Sequence, residues 1–177
     1  PPLYNDMTPK EYLSFVGCAK KIPSAKLSEA VGNVMTKTAL HGVADRLIRN
    51  LSKGYRQRVG IAQAILGDPE IIILDEPTVG LDPMQIIEIR DLIRELGKDH
   101  TVILSSHVLP EISATCDYVI VIAHGKIVAS DTMENLNRSF SETEVIKLGA
   151  RAPLADVKEI VSTVRGIENV SFTETPS

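Results

Sequence analysis

Apolar residues along this chain change their period several times, and each change marks an element. From Thr8, the residues Tyr12, Phe15, Val16 and Ala19 give one apolar helical face behind a Thr-Pro-Lys-Glu start that combines a capping box with proline at the first helical position. Leu27, Val31, Val34 and Thr38 predict a second helix over about 24–38, and a third, shorter one is expected around 44–48. Ser52 is placed as the N-cap of another helix, with Tyr55, Val59, Ala62 and Leu66 on one face. The run Ile71-Ile72-Ile73-Leu74 then abandons helical spacing. A short β-branched stretch of this kind predicts a strand covered on both faces inside a parallel α/β sheet. Asp82 and Pro83 open a helix over 84–96 whose apolar face is Ile86, Ile89, Ile93 and Leu96, with Gly97 past its end. Thr101–Ser105 reads as a second strand. Residues 118–123 and 126–130 flank His124-Gly125, which predicts a hairpin with a two-residue turn.

After Arg138 the character of the chain changes. Ser139-Phe140-Ser141 reads as a linker, followed by a strand at 144–148, a helix at 153–164 and a strand at 170–172, one β-α-β unit in all. Three regions result: an α-helical subdomain over 1–50, an α/β core over 51–138 and a partial accessory domain over 139–177. A length of 177 residues accommodates one substantial core plus a small appendage, and 44% hydrophobic with 24% charged residues is ordinary for a soluble globular protein. A net charge of −4 argues against a nucleic-acid partner. Cys18 and Cys116 stand alone, which fits reduced cytosolic thiols better than a disulfide or zinc framework. The apolar stretches fall well short of the ~20 residues that a membrane-spanning helix needs.

The chemistry concentrates where strands end. Asp75 and Glu76 follow the first strand directly, and ligands collect at the carboxyl ends of parallel strands. Adjacent carboxylates there suit a hydrated Mg²⁺ at Asp75 and a water oriented or deprotonated by Glu76. The second strand ends at Ser106-His107, which adds an imidazole at the same level. Ser52 and Gly54 at a helix N-terminus offer unpaired N–H groups and the positive end of the macrodipole, a setting for phosphate. His41, His100 and His124 lie in predicted loops with no metal-ligand spacing around them and are expected to be solvated. Arg46, Arg49, Arg56 and Arg58 read as a solvated face.

In order, LSKGYRQR, IIILDEP, GLDP and SSH resemble the signature loop, Walker B, D-loop and H-loop of an ATP-binding-cassette ATPase. The resemblance spans roughly residues 1–136 and implies a P-loop NTPase core with an α-helical subdomain that docks on the membrane subunit. It implies that Asp75 assists Mg²⁺, Glu76 is the catalytic carboxylate and His107 contacts the γ-phosphate. Asp82 would communicate across a dimer, and Ser52, Lys53, Gly54 and Tyr55 would meet ATP held by a second ATPase subunit. A transmembrane permease subunit would be the other partner, with the protein at the inner face of the cell membrane and export as the direction. The carboxyl-terminal β-α-β unit resembles the start of a small domain found in some exporter ATPases. Lys53 and Tyr55 depart from the family's usual Gly and Gln. The G-x-x-x-x-G-K-[ST] loop and the family's Q-loop glutamine are both missing, so amino-terminal truncation and an inactive isolated fragment are expected. Two other readings stay open: a soluble cassette ATPase acting on ribosomes or chromosomes, and a non-hydrolysing interaction module.

Overall fold

The structure is a computed structural model and describes residues 3–140, 149, 152–164 and 170–171. The chain divides into two compact units, Pro1–Leu136 and Asn137–Ser177.

In the first unit, α1 (Pro9–Ala19) starts as its sequence demands. The Thr8 hydroxyl accepts from Glu11 N at 3.3 Å while Thr8 N donates to Glu11 Oε2 at 2.9 Å, closing the capping box and holding the Glu11 carboxyl below its ordinary pKa. The buried face of α1 is Tyr12, Leu13, Val16 and Gly17. Phe15 and Ala19, expected on that face, are exposed, and the Phe15 ring instead stands 5.5 Å from that of Tyr4. Helices α2 (Ser24–Lys37) and α3 (Lys53–Ile65) pack on α1. The helix expected at 44–48 is replaced by two 3₁₀ turns, His41–Val43 and Ile48–Asn50. So few residues close barely one α-turn, and i→i+3 bonds satisfy the backbone at lower ordering cost.

Leu13, Leu40, Ile48, Val59 and Ile61 are fully buried in the core these elements share. Tyr55 lies off the buried face of α3, 40% exposed, whereas Val59, Ala62 and Leu66 are buried as their spacing predicts. Lys20, at the end of α1, donates to the carbonyls of Gln63, Ala64 and Leu66 at 2.7–3.2 Å and so caps the C-terminus of α3 with a cation.

Strand β1 (Ile71–Asp75) pairs in parallel with β2 (Thr101–Ser105), and α4 (Pro83–Leu96) forms the crossover between them. That is the α/β unit expected of a P-loop NTPase core. Covering of β1 on both faces does not hold: Ile72 and Leu74 join the core with Ile61, Ile65, Ile89 and Ile93, while Ile71, Ile73 and Ile103 are more than half exposed. A continuous apolar run fixes the strand but carries no record of how many layers pack on it.

The sequence 118–131 folds as predicted into a hairpin of β3 (Val119–Ala123) and β4 (Lys126–Asp131). His124 and Gly125 sit at φ +50° and +73°, the both-positive geometry of a type I′ turn. The register shifts by one residue beside Ile122, a bulge. Two short helices were not anticipated: α5 (Leu109–Thr115) and α6 (Met133–Phe140), although Met133, Leu136 and Phe140 recur at helical spacing in the second. In the second unit α7 spans Leu154–Thr163, within the predicted 153–164. The strand expected at 144–148 lies outside the described residues, as does Phe172, and Val170 and Ser171 carry no strand pairing.

Candidate functional site

Parallel pairing in register sets Asp75 opposite Ser105, so both strands stop at one level and their exits share a single edge. Four hydrogen bonds then stitch that edge. Ser105 Oγ donates to Asp75 Oδ1 at 2.5 Å. Glu76 N donates to Ser105 Oγ at 3.0 Å and to Ser105 O at 3.2 Å. His107 Nδ1–H donates to Glu76 Oε1 at 2.8 Å. Glu76 takes φ +46°, a left-handed conformation that costs a non-glycine residue roughly 1–3 kcal/mol, and the bonds at its N–H help to hold it there.

The consequence is a carboxylate with two unlike oxygens. Oε1 is occupied by the imidazole, while Oε2 is buried and has no hydrogen-bond partner. A buried, unmatched acceptor is costly, so Oε2 carries an unmet demand for a hydrogen-bond donor that only a rearrangement of this edge can admit. The His107 ring is 72% exposed, and its bond to Glu76, followed by the Glu76 charge, holds its pKa above the ordinary imidazole value.

The other predicted residues gather elsewhere. Ser52 caps α3, accepting from Tyr55 N at 3.3 Å, and Asp82 caps α4, accepting from Gln85 N at 3.0 Å. These two helix starts are fitted together through glycines. A Cβ on buried Gly54 would lie 2.6 Å from Gln85 Oε1, and one on Gly80, at φ +70°, would lie 2.0 Å from Lys53 Nζ. The Lys53 side chain therefore lies over the turn before α4. No hydrogen bond or ion pair among the described residues joins this group to Asp75, Glu76 or His107.

Mg²⁺ fits the donor set at Asp75. The described residues hold no group of three potential metal ligands. A single strand-end carboxylate matches a cation that dehydrates reluctantly and is bound through one or two carboxylates together with substrate phosphates.

Several expectations need correcting. His100 is not solvated: its side chain is 4% exposed, and its Nδ1 lies 2.8 Å from Pro69 O. Three of the four arginines are engaged. Arg49 pairs with Asp6, Arg56 bonds Leu51 O, and Arg58 pairs with Glu88 and bonds Thr38 O. Sequence reasoning missed Ser105, Gln85, Thr78 and Glu111. Ser105 was accessible from the parallel register, and Glu111 from its place one helical turn after His107. Gln85 and Thr78 offered no periodic signal.

Residues 2–79 match the family model described as ABC transporter. The chain is 35% identical over 154 residues to ABC transporter ATP-binding protein YxlF of Bacillus subtilis, covering 87% of this chain and 52% of that protein. It is 34% identical over 138 residues to ABC transporter ATP-binding protein NatA of the same organism, covering 77% and 56%. Bacitracin transport ATP-binding protein BcrA of Bacillus licheniformis is 36% identical over 154 residues, covering 82% and 48%. The chain thus spans about half the length of the curated relatives it matches.

Proposed function

We propose that this chain, a member of the ATP-binding-cassette transporter ATPase family, carries the hydrolytic edge of an ATPase that powers transport across a membrane, with export as the direction. Glu76 carries the reading. Its carboxylate stands at the strand-end edge with Oε1 held by His107 and Oε2 left without a partner, which supports a group that aims a water at the γ-phosphate once nucleotide rearranges the edge. Glu76 orients the water and takes its proton, and His107 presents its remaining N–H toward the transferring phosphoryl group. The charge that Glu76 induces on His107 favours the form able to offset developing negative charge. Asp75, oriented by Ser105, holds Mg²⁺, which supplies Lewis-acid neutralisation of the phosphate oxygens when bound.

Ser52, Lys53, Gly54 and Tyr55 act on ATP bound mainly by a second ATPase subunit, and Asp82 sits at the same contact. That no hydrogen bond or ion pair among the described residues links this group to the strand-end edge supports division between subunits. A transmembrane permease takes up the resulting motion, and its presence accounts for a place at the inner membrane face. No helix among the described residues is long and apolar enough to cross a membrane.

The test is Glu76→Gln in the protein carrying the flanking sequence of its relatives. Turnover should fall by about 10²-fold or more with ATP binding kept, the usual size of general-base assistance. Hydrolysis at the parent rate would refute the assignment.

A further inference from the structure

Helix α5 follows His107 directly, yet none of its seven residues is fully buried, and its N-cap Val108 makes no side-chain cap bond. A helix this short is not stable alone, and with no fully buried residue it depends on contacts from other elements. Near its start, the hydroxyl of Thr78, a residue only 8% exposed, donates to Glu111 Oε2 at 2.5 Å. Toward its end, the Ala114 carbonyl accepts from Arg94. Thr78 lies two residues after Glu76, behind a fully buried Pro77, in a turn closed by Val79 N donating to Glu76 O at 3.3 Å. Glu111 lies one turn after His107. The Thr78–Glu111 bond therefore joins the two segments that carry Glu76 and His107, from the side opposite in sequence to the strand ladder. Glu111 also lines a small cavity with Arg90, whose Nε is buried without a partner.

We infer that Thr78 and Glu111 are positioning residues for the Glu76–His107 pair, their bond clamping α5 so that the imidazole stays on Glu76. The purpose rests on the ATPase reading, but the clamp is measurable without nucleotide. Thr78→Val removes the hydroxyl at nearly constant shape and charge, so it changes His107 only through position. In protein labelled at histidine Cε1, with the His107 signal identified by its loss in His107→Asn, the midpoint of His107 in Thr78→Val should fall toward 6.5, while Thr78→Ser keeps the parent value. A folded Thr78→Val with an unchanged midpoint overturns the clamp.

A second pair keeps the test decisive if Thr78→Val does not fold. Glu111→Gln and Glu111→Ala lose the same charge, and Glu76 and Glu111 are the acidic groups acting on His107, but only Gln keeps an acceptor for Thr78. The midpoint should be lower in Ala than in Gln, and equal values overturn the proposal. In the ATPase assay, Thr78→Val should lower turnover with KM for ATP unchanged and Thr78→Ser should restore it. Absence of hydrolysis in the protein carrying the flanking sequence of its relatives would instead sink the ATPase reading and leave the His107 result standing.

Discussion

The helical region up to Leu66 and the strand pair that follows it use the same aliphatic residues to different ends. In the first, Leu13, Leu40, Ile48 and Ile61 are fully enclosed, and polar groups mainly cap helix ends. In the second, every other isoleucine is open: Ile71 is 57% exposed and Ile73 71%. There, position at the functional edge is fixed by hydrogen bonds through Ser105, Glu76 and Thr78 as well as by packing. Burial supplies stability in one region, and polar stitching supplies geometry in the other.

Core truncation should break the symmetry between like residues most strongly. Ile61→Ala empties a fully enclosed site and should cost ~2–5 kcal/mol in denaturant unfolding. Ile73→Thr keeps a β-branched side chain on the open face and should stay within about 0.5 kcal/mol of the parent. Similar losses for the two would mean that the open face is covered in solution.

The turn between β1 and α4 sharpens the contrast, because there a polar side chain meets bare backbone. Gly80→Ala must adopt φ +70° and displace Lys53 Nζ. The left-handed backbone alone should cost roughly 1–2 kcal/mol. Removing the obstacle as well, in Lys53→Ala/Gly80→Ala, should give a loss smaller than the sum of the single variants by about 0.5 kcal/mol or more. Strict additivity in a double-mutant cycle would show that Lys53 leaves the turn free.

How far the sequence carried differs between the same two regions. Helix starts at Thr8, Ser52 and Asp82 were legible because each cap is a local hydrogen bond between residues three apart. The hairpin was legible because His124-Gly125 satisfies a local backbone demand. Asp75, Glu76 and His107 were legible as strand-end residues, and their meeting follows from parallel pairing in register. One-sided burial of β1 was not, since layering is a tertiary property. Neither was α5, whose seven residues are held by Thr78 and Arg94 from other elements. His100 read as a loop imidazole because its partner, the Pro69 carbonyl, is 31 residues away.

A helix cap in the packed region gives a smaller and purely local effect. Thr8→Ala removes the acceptor for Glu11 N and the start of the capping box, and should cost ~1 kcal/mol. Glu11 has a lowered folded pKa, so its share of stability is present above about pH 4.5 and is lost as pH falls through the folded value. The parent should therefore lose part of its advantage over Thr8→Ala in acid. An advantage that holds constant from neutral pH down to about pH 3 would remove the carboxylate from the cap.

The smallest effect belongs to the stitched edge and has the opposite sign with pH. His107 is exposed and its folded pKa is raised, first by the bond to Glu76, then by the Glu76 charge, with a further contribution from Glu111. A group held above its unfolded value stabilises fully below that unfolded value, near 6.5, and the contribution disappears as pH rises through the folded one. The melting temperature of the parent should thus exceed that of His107→Asn most below about pH 6.5, and the difference should close in mildly alkaline buffer. Added salt should shrink it, because an exposed pair is screened. A difference that grows with rising pH would mean that neutral His107 is the form the fold prefers, and the imidazole could not then be the charged partner of Glu76.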